Sequence, residues 1–147
     1  MKKTFYFALT AIVAAAIFAA ACDSASQPTP DSPIQGKTIK SGTIGDNLTV
    51  TLSSSSGTLK NGKQEIFLAF TDQAGKPVDV GAASLNFYMP AMGSMAAMND
   101  AATLTTTAVP GVYKGSVRLQ MAGEWQAQVS IEGAAGTAKA SIPMRTQ

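Results

Sequence analysis

The chain has 147 residues, room for one domain of ordinary size, with eleven Lys and Arg against nine Asp and Glu and no histidine. A lone cysteine and no imidazole exclude an internal disulfide and any His-based acid–base pair or metal cluster. No basic stripe interleaved with aromatics is present, which argues against a nucleic-acid partner.

The first segment reads as a targeting signal and is set apart from the fold. Lys2 and Lys3 form a short basic region, residues 4–21 are almost wholly apolar, and Ala19, Ala20 and Ala21 lead into Cys22. That is the layout of a bacterial lipoprotein signal (residues 1–21), with Cys22 as the lipid-bearing first residue of the mature chain. Ala19 stands three before the cysteine, where Leu is usual, and the run is just long enough to cross a bilayer uncleaved. The position of the only cysteine favours cleavage and lipidation. This places the chain in the cell envelope, anchored to membrane lipid and facing the periplasm or the cell exterior. Loss of residues 1–21 removes Lys2 and Lys3 and leaves basic and acidic side chains in balance.

Residues 22–36 hold the lipidated cysteine and a tether rich in Pro and Ser. In polyproline form, at about 3 Å per residue, it holds a domain roughly 40 Å from the membrane. A spacer with no geometric role has the same composition.

From Lys37 to the end the texture is β. Leu48, Val50 and Leu52 alternate with Thr49 and Thr51, the period of a half-buried strand. Asn61-Gly62 predicts a two-residue hairpin turn, since both central positions of a type I′ turn need positive φ. Residues 65–70 form a near-continuous apolar run suited to a central strand, and 72–77 is a turn cluster. Leu85, Phe87 and Met89 share one strand face. A Thr-rich strand over 102–107 and a turn at Pro110-Gly111 follow. Tyr113, Val117 and Leu119 then alternate with Lys114, Ser116 and Arg118. Trp125, Ala127, Val129 and Ile131 point inward on the next strand, and a turn at 133–136 leads to a last one with Ala138, Ala140 and Ile142 inward. Seven or eight short strands without helical periodicity predict an immunoglobulin-like antiparallel β-sandwich. Trp125, Val129, Phe67, Leu68, Phe87, Tyr113 and Val117 are expected in its core.

One stretch carries chemistry. Met89, Met92, Met95 and Met98 recur every third residue, four of the seven methionines in the chain. Thioether sulfur is a soft neutral donor that selects Cu(I). Methionine is equally a gap-filler in cores and at adaptable surfaces, so a lid over the core or a contact surface remains open. Pro90 and Gly93 disfavour a helix, and a loop can turn several sulfurs toward one point. Met89 continues the Leu85/Phe87 face and reads as core. Met92, Met95 and Met98 are harder to assign to strand packing, so at least two of them are expected to hold Cu(I), with Met89 or Met121 as candidate further ligands. Met121 shares strand parity with Trp125, whose indole is a core residue or, beside bound Cu(I), a cation–π neighbour.

Two blocks, Tyr-Met-Pro-Ala-Met-Gly-Ser-Met at 88–95 and Pro-Gly-Val-Tyr-Lys-Gly-Ser-Val-Arg-Leu-Gln-Met-Ala-Gly-Glu-Trp at 110–125, resemble the YtkA-like/FixH family. The resemblance spans a domain over about 37–144. It implies an immunoglobulin-like sandwich outside the membrane, associated with copper handling and assembly of haem-copper oxidases, with related domains beside heavy-metal efflux adaptors. Met89, Met92 and Met95 match the family's methionine motif, and Met121 and Trp125 match its second block. Many relatives place a His beside the methionines; here Ser94 stands where it is sought. That argues against Cu(II), which favours imidazole, and leaves Cu(I) held by thioethers. FixH-type members carry an uncleaved transmembrane anchor, from which the Cys22 reading departs.

The function expected is an envelope lipoprotein that carries Cu(I) to a membrane partner, an oxidase-assembly or metal-efflux component. The alternative is a metal-free interaction module in such an assembly. An enzyme ranks far behind, because no phosphate loop, nucleophile or acid–base constellation is visible.

Overall fold

A computed structural model describes residues 33–147 as nine antiparallel strands with no helix among them. In chain order these are β1 (Lys37–Ile44), β2 (Leu48–Ser54), β3 (Gly62–Thr71), β4 (Ala82–Met89), β5 (Met98–Ala101), β6 (Thr103–Thr106), β7 (Val112–Leu119), β8 (Gly123–Gly133) and β9 (Gly136–Thr146). Cys22, the signal over 1–21 and most of the tether lie outside the described residues.

The strands form two sheets, ordered β1-β2-β3-β7-β6 and β5-β4-β8-β9. The series β2-β3-β7-β6 follows the A-B-E-D order of an immunoglobulin constant-type domain, and β4-β8-β9 follows C-F-G. β5 is added beside β4 and β1 beside β2. The expected sandwich is the observed one. Its ninth strand is β5, cut from the end of the methionine stretch.

Alternating side chains build the core, as the period-two pattern requires. Val50, Leu52, Ile66, Leu68, Phe70, Leu85, Phe87, Val117, Leu119, Trp125, Val129 and Ile131 are all buried between the sheets. β3 is central in its sheet, as its apolar run predicts. Phe67 departs from expectation: it is only half-buried, because it takes the opposite parity from Ile66 and Leu68. At one edge β1 lies beside β9, so close that a Cβ added at Gly42 would stand 2.9 Å from Ile142 Cγ1. Ala102 carries the chain from one sheet to the other, its N–H bonded to the Leu85 carbonyl at 2.9 Å.

The hairpin turn expected at Asn61-Gly62 is absent. Leu59, fully buried, forms a parallel bridge with Thr146, and the Asn61 N–H donates to the Gln147 carbonyl at 3.1 Å. Pairing with the end of β9 outweighs the local turn preference, and β2 joins β3 through the loop 55–61. The turns at 72–77, Pro110-Gly111 and 133–136 form as the residues dictate. In the first, Asp72 Oδ1 accepts from the Ala74 and Lys76 N–H groups.

Candidate metal site

The β4–β5 connection is a hairpin whose ladder stops and restarts. Asn86↔Ala101, Phe87↔Asp100, Tyr88↔Asn99 and Met89↔Met98 pair in unbroken register. Pairing then lapses at 90–91 and 96–97, where Pro90 offers no N–H to the ladder. It resumes at Met92↔Met95, with Met92 N–H to Met95 O at 3.1 Å and Met95 N–H to Met92 O at 2.9 Å. Gly93, at φ 57°, supplies the left-handed residue that closes this two-residue turn. Apart from its own chain neighbours, no atom lies within 4 Å of the place a Cβ on Gly93 would take, so the turn packs against no other part of the domain there.

This geometry divides the methionines into two groups. Met92 and Met95 exchange both backbone hydrogen bonds, so their side chains leave the hairpin as direct cross-strand neighbours, with Cβ atoms about 5 Å apart. They are 49% and 38% exposed, and with Val109 they are the exposed large hydrophobic side chains of the described residues. The others turn inward. Met89 is 2% exposed and Met144 7%. Met98, placed in the loop by sequence, instead opens β5 and packs partly buried on the core beside its partner Met89.

Trp125 and Met144 are paired on β8 and β9. Tyr88↔Gln126 ends the β4–β8 register, and one further step sets Met89 opposite Trp125. A row thus crosses the whole four-stranded sheet: Met98, Met89, Trp125, Met144. Met144 belongs to this row without having been singled out in the sequence. Its only signal was parity with Ile142, and the β8–β9 register that brings it beside Trp125 is not written locally. Met121 lies in the β7–β8 turn, half-buried on the core, and its carbonyl accepts the Trp125 indole N–H at 3.1 Å. Trp125 is therefore core, 1% exposed, with its polar edge occupied. The turn carrying Met121 is tied to β5 by Asp100, whose carboxylate accepts the Gln120 backbone N–H at 3.1 Å and side-chain amide at 2.8 Å.

Beside the tip runs a groove of about 330 Å³. Pro90 and Met92 line it together with residues 124–126 of β8, residues 143–145 of β9 and Lys40 of β1. Sequence reading missed it, because Lys40 and Arg145 are over a hundred positions apart and meet only through the β1–β9 edge. Among the described residues no three His, Cys, Asp or Glu side chains gather as a metal-binding group. The donors concentrated at this end are thioethers. Met92 and Met95 stand exposed and paired at the hairpin tip, whereas Met89 and Met144 are buried and Met98 and Met121 are half-buried on the core.

A family model for YtkA-like domains matches residues 44–130, from the end of β1 through most of β8. The match contains both the methionine hairpin and the Met121–Trp125 segment, the two blocks on which the resemblance was read. Searches of curated proteins and of solved structures gave no match. With more than half of its length covered by that model, the chain belongs to the YtkA-like family.

Proposed function

We propose that this YtkA-like domain carries Cu(I) in the cell envelope, held near the membrane through lipidated Cys22, and passes it to a membrane partner. The partner class is an oxidase-assembly or metal-efflux component, as family membership suggests. The observation that carries the reading is the cross-strand pair Met92 and Met95, two apolar side chains standing exposed at an open hairpin tip. Leaving two methionines in water forgoes their burial, and a soft-metal role accounts for that exposure. Cu(I) accepts sulfur without a strict geometry, so the pair serves it at little strain. A site made of two thioethers holds metal loosely, which suits a carrier. Met92 and Met95 are the ligands in this reading, because Met98 and Met121 are half-buried on the core and Met89 and Trp125 are buried in it.

The test replaces Met92 and Met95 together by Leu, which keeps volume and apolarity but removes sulfur. Cu(I) affinity, measured against a chromophoric chelator, should fall sharply while the thermal midpoint holds. Unchanged affinity, or none in the parent protein, would leave the tip as a hydrophobic contact. The metal-free interaction module would then be the better reading.

A further inference from the structure

The same exposure that offers sulfur to a metal offers it to oxidants. The methionines of the described domain form a graded series. Met92 and Met95 lie open at 49% and 38%, Met98 and Met121 are half-buried on the core, and Met144 and Met89 are sealed at 7% and 2%. Peroxide oxidation of a thioether needs a free sulfur lone pair and room for the oxidant to approach along it. Met92 and Met95 are the most exposed methionines of the described residues, and beyond the chain neighbours of Gly93 no atom lies within 4 Å of a Cβ added in the turn between them.

From this we propose that Met92 and Met95 form a paired methionine-sulfoxide site, modified by hydrogen peroxide ahead of every other described methionine. In each event a sulfur lone pair attacks one peroxide oxygen. The S–O bond forms as the O–O bond breaks, sulfur loses two electrons, and the displaced hydroxide takes up the remaining proton and leaves as water. The thioether becomes a polar sulfoxide. At a core position such a change would place an unpartnered dipole among apolar side chains. At the tip the new oxygen faces solvent, so the fold tolerates it. The consequence for metal rests on the carrier reading: a sulfoxide presents a harder oxygen donor, which Cu(I) does not favour, so oxidation switches the site off.

The experiment exposes the purified protein to limiting hydrogen peroxide and follows each methionine by proteolytic peptide mapping with mass spectrometry. Met92 and Met95 should gain oxygen on the order of tenfold faster than Met89 and Met144, with Met98 and Met121 between them. The thermal midpoint of the doubly oxidised protein should match that of the parent. The double variant Met92→Leu, Met95→Leu should lack the fast phase entirely. Oxidation of Met89, Met98, Met121 or Met144 at the same rate as the tip would overturn the proposal, as would a lowered midpoint once only the tip is oxidised. A Cu(I) competition assay before and after oxidation separates the two readings. If the unoxidised protein takes no Cu(I), the carrier reading falls and the sulfoxide site stands on the mapping. If both forms bind alike, the switch is refuted.

Discussion

Truncating Met89 and Met92 to Ala asks the structure to tell two methionines apart that sit three residues apart in sequence. Met89 is 2% exposed, its Cε only 2.9 Å from where a Cβ on Gly123 would be, and the β4–β8 register sets it opposite Trp125. Removing its side chain leaves a void within the row between Met98 and Trp125, and Met-to-Ala changes at such sites cost about 2–5 kcal/mol. A domain of roughly this size loses about 4 °C per kcal/mol, so Met89→Ala should lower the thermal midpoint by about 8–20 °C. Met92 is half exposed at an open tip, and its truncation should stay within about 0.5 kcal/mol, or about 2 °C. Met89→Leu, which refills most of the volume, should recover most of the loss. Unfolding followed by circular dichroism in a temperature ramp reads all three. Equal shifts for Met89→Ala and Met92→Ala would refute the division of the methionines into core and surface sets.

Gly111 sits at φ 81°, and a Cβ there would lie 2.1 Å from the Val78 carbonyl oxygen, against backbone that has no way to yield. Gly111→Ala should destabilise by about 2 kcal/mol or more, read as a shift in the denaturant midpoint with an unchanged slope. The Tyr113 hydroxyl donates to the Gly81 carbonyl, and burial, with the Asp79 charge adding, raises its pKa above the ordinary value of 10.0. The protonated phenol is the stabilising form, so its contribution is complete below the unfolded pKa and fades as pH rises through the folded one. Alkaline unfolding should accordingly be less steep in Tyr113→Phe, measured as denaturant midpoints from pH 8 to 11; identical profiles would remove Tyr113 from the account.

The sheets were legible where one face is buried and the other wet. Trp125, Ala127, Val129 and Ile131 alternate with polar residues because β8 is solvated on one face, and their parity could be read directly from the chain. Phe67 misled because its apolar character says nothing about which side of a strand it takes. Asn61-Gly62 misled for a different reason: the preference for a tight turn is local, whereas the pairing of 59–61 with the end of β9 is a tertiary contact with residues more than eighty positions away. The candidate site was half visible. Its sulfur atoms were visible in the composition, its lack of helix followed from Pro90 and Gly93, and the core assignment of Met89 followed from its parity with Leu85 and Phe87. The separation of Met98 from Met92 and Met95 did not, because it depends on where the β4–β5 ladder lapses and resumes. The groove depends on a sheet edge joining the first strand to the last.

That lapse governs how the tip can vary. Met89↔Met98 and Met92↔Met95 obey one pairing register although the positions between them make no ladder bonds. The two pairs are related by counting alone, with equal numbers of residues on each arm. Adding or deleting one residue on each arm preserves the pairing while reversing the face on which the closing pair stands. A change on one arm only must be absorbed as a bulge. Length variation at this hairpin should therefore come in matched steps, and the side from which the two sulfurs are presented should alternate with each step.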